Sequence, residues 1–177
     1  MPETITIAVF SENKAGLLHR VTTGFTRRKI NIESLTVSES EIPGIHRYTI
    51  LVEMEVEDVK KLVTSLEKQV DIQKAFWYRD DEVVYREIAM YKVRAEVLTE
   101  GSPALAIVDK HHARILSVEP EFAVIQMTGR REKTSLLFEE LEPYGILEFV
   151  RSGRVAISRP MKELKDYLSE LHLASTH

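Results

Sequence analysis

Asn13, Lys14, Ala15 and Gly16 separate a short alternating run, Ile5 to Phe10, from an amphipathic run whose apolar members are Leu17, Leu18, Val21 and Phe25. An Asn side chain bonds nearby backbone and so favours turns and caps, and Gly accepts a positive φ or the close approach of a ligand. A polar loop that opens a helix in this way presents backbone N–H groups suited to a carboxylate. Beyond the basic stretch Arg27-Arg28-Lys29, a second polar residue, Asn31, opens the strand-like run Asn31-Ile32-Glu33-Ser34-Leu35-Thr36-Val37. Taken alone, the loop is also what an ordinary turn and helix cap would look like. The two stretches as a pair are far more specific.

Other residue types capable of chemistry are present without the company they need. His111-His112 is the one feature with metal-ligand character, but adjacent helical residues point about 100° apart, and Asp109 is a solitary third candidate. His19, His46, His172 and His177 lie in polar or terminal contexts, and Glu139, Glu140 and Glu142 read as a solvated helix face. Trp77, between Phe76 and Tyr78, reads as part of an aromatic strand packed under a helix rather than a stacking site. The doublets Arg27-Arg28 and Arg130-Arg131 read as solvated helix ends that complement the macrodipole. No G-x-S-x-G, H-E-x-x-H, Walker A or G-x-G-x-x-G motif occurs, and the expectation is that catalytic and metal sites are absent.

The elements that must hold the two Asn-led stretches follow from periodicity. Ile5, Ile7 and Val9 alternate as a strand, and residues 16–28 carry helical spacing. Leu35 and Val37 alternate with polar neighbours, and Glu41-Ile42-Pro43-Gly44 marks a turn. Tyr48, Ile50, Val52 and Met54 form another alternating strand. Val59, Leu62, Val63, Leu66 and Val70 keep helical spacing, and Ile72 to Tyr78 closes a β-α-β-β-α-β order. After the charged link Arg79-Asp80-Asp81-Glu82 the order repeats. Arg86 to Leu98 reads as a long strand with Ile88, Met90 and also Tyr91 inward, and Ala104 to His112 as a helix begun by Pro103. Ile115–Val118 and Phe122–Met127 follow as strands, Lys133–Leu141 as a helix, and Ile146–Ser158 as a hairpin around Ser152-Gly153. Met161 to Leu173 reads as an amphipathic tail with Leu164, Leu168 and Leu171 on one side. The fold class is therefore α+β: two tandem ferredoxin-like (βαββαβ) sandwiches, spanning 4–79 and 84–159, with a helical tail at 160–177.

A chain of 177 residues holds one domain or two small ones, and 44% apolar with 29% charged residues is ordinary for a globular protein. The absence of cysteine excludes disulfide scaffolds, cysteine–zinc sites and thiol catalysis. A net charge of −4 gives no footprint for nucleic acid. No apolar run is long enough for a membrane span, so a cytoplasmic setting without membrane attachment is the expectation.

The strings ENKAGLLHRV and NIESLTV together resemble the regulatory (small) subunits of acetolactate synthase, and VRSGRVAISR resembles the end of that family's second domain. The likeness covers roughly residues 4–159. One departure stands out, because the family usually has Gly in the turn before NIESL and this chain has Arg28-Lys29-Ile30. The resemblance implies that residues 4–79 are an ACT domain that dimerises and binds an amino acid at the dimer interface. It implies an effector, valine in the first instance, held by Asn13, Lys14, Ala15, Gly16, Leu17 and Leu18 of one copy and Asn31 and Ile32 of its partner. It further implies a large catalytic partner subunit that carries thiamine diphosphate, Mg and FAD, with no cofactor on this chain. The Gly-Asp-Gly signature of thiamine-diphosphate enzymes is indeed missing from it. The alternatives are an ACT-type amino-acid sensor acting on another enzyme, a metal-responsive regulator, and a small enzyme with a dispersed site.

Overall fold

The computed structural model describes residues 1–159 and residue 166. The expected tail helix lies outside the described residues. Two compact units are present. The first holds residues 1–84 with the return of the chain at 154–159, and the second holds Tyr85–Gly153.

In the first unit β1 (Glu3–Glu12), α1 (Leu17–Thr26), β2 (Ser34–Glu39), β3 (Ile45–Met54), α2 (Val56–Glu67) and β4 (Ile72–Arg79) follow in order. The strands form an antiparallel sheet in the order β2-β3-β1-β4. Alternation places Ile5, Ile7, Val9, Tyr48, Ile50 and Val52 on the helix side, where they meet Val21 and Phe25 of α1 and Val59, Leu62 and Leu66 of α2. The opposite side is not left to solvent. Ala8 and Phe10 lie buried there with Phe76, Tyr78, Ile42 and Ile45, so every residue of β1 from Ile5 to Ser11 is buried. Trp77 faces the helix-side core, while Phe76 and Tyr78 stack with centroids 6.3 Å apart on the other side. The aromatic strand is thus divided between two faces rather than gathered under one helix.

The second unit repeats the plan with β5 (Val83–Arg94), α3 (Pro103–Lys110), β6 (Arg114–Val118), β7 (Phe122–Gly129), α4 (Arg131–Leu141) and β8 (Ile146–Arg151), in the sheet order β6-β7-β5-β8. The two tandem ferredoxin-like sandwiches expected from element order are present. Three local expectations are corrected. The long strand stops at Arg94, residues 95–98 form a 3-10 turn, and the inward set is Val83, Tyr85, Glu87, Ala89, Tyr91 and Val93. Ile88 and Met90 therefore face outward. Tyr91 is inward as expected, but Ile88 and Met90 fall in the opposite phase, because a buried Glu and two Tyr occupy the inward positions.

The expected hairpin around Ser152-Gly153 does not form either. β8 and β9 (Val155–Ser158) both pair with β5. Ser152 donates its backbone N–H to Ile88 O, and its Oγ accepts from Ile88 N, so the side chain carries the ladder onward instead of turning it back. Finally, Arg130 and Arg131 sit at the N-terminal end of α4, where cations oppose the macrodipole. The Arg130 guanidinium is instead placed 5.1 Å over the Tyr85 ring.

Candidate functional site

The loop after β1 is held open by backbone geometry. Asn13 donates its N–H to Gly44 O at 2.9 Å, and Leu17 N reaches Lys14 O at 3.3 Å. Gly16 then enters α1 with φ 84°, a left-handed conformation that an L side chain adopts only at a cost. A Cβ built there would meet nothing within 4 Å, so it is the conformation that calls for glycine. α1 has no side-chain N-cap, and the N–H groups of Ala15, Gly16, Leu18 and His19 find no acceptor among the described residues. Four amide donors at the positive end of a helix are the arrangement that attracts a carboxylate.

Around these donors, Asn13, Lys14 and Ala15 are exposed, Leu17 is buried and Leu18 is 47% exposed. Lys14 pairs with Glu12 and, at 3.5 Å, with Asp71, to which Arg20 also binds. The hydrogen bond to Glu12, followed by its charge, holds the Lys14 ammonium above its ordinary pKa.

Asn31 and Ile32 lie on the other side of α1. That helix ends in a left-handed turn: Ile30 N bonds Phe25 O and Lys29 N bonds Thr26 O, with Lys29 at φ 57°. This is the Schellman arrangement, in which the left-handed place is ordinarily glycine. Here a Lys takes that left-handed place. Ile30 and Ile32 pack against the core, and the exposed Asn31 donates Nδ2–H to Glu33 Oε1 at 2.6 Å. Glu33 N in turn bonds Leu51 O, whereas Asn13 is bonded to Gly44. Gly44 to Leu51 is seven steps along a strand, roughly 23 Å at ~3.3 Å per residue. Within one chain, Asn13 and Asn31 stand at opposite ends of the sheet.

Two clusters were not legible as sites. Glu87, 7% exposed, accepts from Thr134 Oγ1 at 2.5 Å and pairs with Arg151 Nε at 2.8 Å. Beside it the buried Tyr91 hydroxyl donates to Thr134 O at 2.6 Å, and burial pushes this phenol up to about 12. A Glu in the inward phase of β5 is the signal that could have found the network. Arg154 is also buried, donating Nη1–H to Thr6 Oγ1 at 2.9 Å and to Asp80 at 2.6 Å. It lies within the string VRSGRVAISR, whose pattern gives no sign of this contact. His111 Nε2 stands 3.2 Å from Glu140 Oε2, and His112 leaves the helix with φ 52°. Among the described residues no group of three or more His, Cys, Asp or Glu could hold a metal ion.

Sequence profiles add what geometry cannot. The AHAS small subunit-like ACT domain matches residues 7–74, and the small subunit of acetolactate synthase matches residues 86–160. The chain belongs to the acetolactate synthase small-subunit family. The acetolactate synthase small subunit of Mycolicibacterium smegmatis is 38% identical over 156 residues, covering 88% of this chain and 91% of that protein. That of Bacillus subtilis is 38% identical over 160 residues, covering 90% and 91%. The crystal structure of the small subunit from Thermotoga maritima superposes with a TM-score of 0.80 at 29% identity, covering 90% of this chain and 99% of that one. A small subunit is the regulatory, non-catalytic chain of acetolactate synthase and partners a catalytic subunit in branched-chain amino acid biosynthesis. No described helix of this small subunit is long and apolar enough to cross a membrane.

Proposed function

We propose that this small subunit activates its catalytic partner and makes it sensitive to valine, bound where two copies of the first unit meet. The carboxylate of the effector takes the amides of Ala15, Gly16, Leu18 and His19, and its ammonium takes the side-chain oxygens of Asn13 and the other copy's Asn31. Leu18 and Ile32 flank the isopropyl group with Leu17 beneath, and Lys14 and Ala15 form the outer rim. Thiamine diphosphate, Mg and FAD stay with the catalytic subunit. Effector binding biases one arrangement of the regulatory dimer over another, a coupling typically worth ~1–3 kcal/mol.

The observation that supports this reading is that Asn13 is bonded to Gly44 while Glu33, two residues past Asn31, is bonded to Leu51, points roughly 23 Å apart along β3 at ~3.3 Å per residue. No single amino acid spans that gap, so a ligand that uses both Asn13 and Asn31 has to sit between two copies. A mixing experiment tests it. Asn13→Ala and Asn31→Ala homodimers should each bind valine at least tenfold more weakly by calorimetry. In a mixed dimer one site collects both substitutions and the other collects neither. Mixing the two variants in equal amounts should therefore restore tight sites to about a quarter of the chains' capacity, one site in every hetero-pair. If tight binding does not return on mixing, the two asparagines do not share a site across two copies.

A further inference from the structure

A cleft of about 460 Å³ opens on the helical layer of the first unit, lined by His19, Arg20, Thr23, Gly24, Arg27, Arg28, Ser65 and Gln69. It contains three arginines and no carboxylate, in a chain whose net charge is −4. Arg20 is partly neutralised by Asp71. The other two are not: Arg28 spends one donor on Gly24 O at 3.1 Å, and Arg27 has no side-chain partner among the described residues. A solvated helix end would account for the cations, because they complement the α1 carboxyl terminus. It does not account for a second wall. Ser65 of α2 and Gln69 just beyond it line the far side with a hydroxyl and an amide, and Gly24 lets α1 approach α2 closely there. A Cβ on Gly24 would lie 3.0 Å from Leu66 Cδ2.

We infer that this cleft is a binding site for a small phosphate-bearing anion, distinct from the amino-acid site. Planar guanidinium groups grip phosphate oxygens two at a time, and hydroxyl and amide donors complete the shell. The volume falls in the range of small-molecule pockets and is too small for a folded partner to enter. Two uncompensated guanidiniums select at least two negative charges, which favours a pyrophosphate or phosphomonoester group over a carboxylate or chloride. The lining runs along α1 from His19, whose backbone N–H is one of the four effector amides, to Arg27 and Arg28 at the far end of the helix. Its occupant therefore reports to the same helix that carries the effector amides.

The experiment uses the full chain and pyrophosphate as the probe, at fixed ionic strength, followed by backbone amide resonances. Saturable shifts at Thr23, Gly24 and Gln69 are expected, with a dissociation constant below about 1 mM. The double variant Arg27→Gln/Arg28→Gln should weaken this binding at least tenfold while its valine titration stays unchanged. Shifts that rise without saturating, or that are equal in the variant, overturn the inference. So does a variant that loses association with the catalytic subunit although neither protein binds pyrophosphate, which would make the cleft a protein-docking surface. Because valine is titrated separately, failure of the valine site and failure of this one give different results.

Discussion

The two units share one strand order and bury their central strands in different ways. β1 is enclosed on both faces, with aliphatics toward the helices and Ala8, Phe10 and Thr6 on the reverse side. β5 alternates strictly, with its inward row buried and Val84, Ile88 and Met90 between 38% and 48% exposed. The layer beneath the helices differs as well. In the first unit it is apolar but for the Tyr48 hydroxyl, which accepts from Ser11 Oγ at 3.5 Å, whereas in the second Glu87, Tyr91, Thr134 and Arg151 bring a charge pair and hydrogen bonds into it. The same topology thus carries its buried polar network on the reverse side of the sheet in one case, at Thr6, Asp80 and Arg154, and beneath the helices in the other. A polar network of this kind is costly when broken at one member and close to neutral when replaced as a whole.

The largest test of that contrast removes one charge. Glu87→Ala leaves Arg151 and Thr134 without their buried acceptor and should cost about 3 kcal/mol in denaturant unfolding. Glu87→Leu combined with Arg151→Met should recover most of the loss. If the double variant is as unstable as the single one, the polar network contributes more than its own desolvation cost.

A somewhat smaller effect appears in alkali. Tyr91 ionises at about 12 in the folded protein, and an unfolded tyrosine near 10. Its folded value is raised, so its contribution is complete below pH 10 and is lost as pH rises from about 10 to about 12. Complete loss amounts to about 2–3 kcal/mol at ~1.4 kcal/mol per unit. Tyr91→Phe should flatten that part of the stability profile relative to the native chain. A parallel decline in both proteins would assign the alkaline loss to other tyrosines.

The smallest effect sharpens a similarity rather than a difference. Both units end their first helix in the same left-handed turn without glycine. Lys29 bonds Thr26 O with Ile30 bonding Phe25 O, and His112 bonds Asp109 O with Ala113 bonding Val108 O. Lys29→Gly and His112→Gly should each raise stability by about 0.5–1 kcal/mol, since glycine removes the steric cost but adds chain entropy to the unfolded state. A shift in melting temperature of about 2 °C, of equal sign in both, is the expected reading. A loss of stability at Lys29 alone would show that its side chain has a structural part in the first unit.

Element order, the paired βαββαβ plan and the family were legible in the sequence because they rest on local periodicity and on two short strings, residues 12–18 and 31–37. The helix that Gly16 opens was legible for the same reason, whereas the choice between a positive φ and the close approach of a ligand at Gly16 was left open by the residue type and is decided by its φ of 84°. The phase of β5 was not. Alternation fixes which residues share a face but not which face is buried, and only the packing of α4 on Glu87 and Tyr91 decides that. The failed hairpin at Ser152 is another case, because the competing bonds to Ile88 come from a residue 64 positions away. Arg154 depends on Thr6, 148 positions earlier, and no local pattern encodes such a contact. The separation of Asn13 and Asn31 belongs with these. The sequence alone determined that both are polar residues bordering one helix, but the distance between them is set by the length of β3. Tertiary structure alone made them ends of one sheet, through the registers of β1 and β2 on β3.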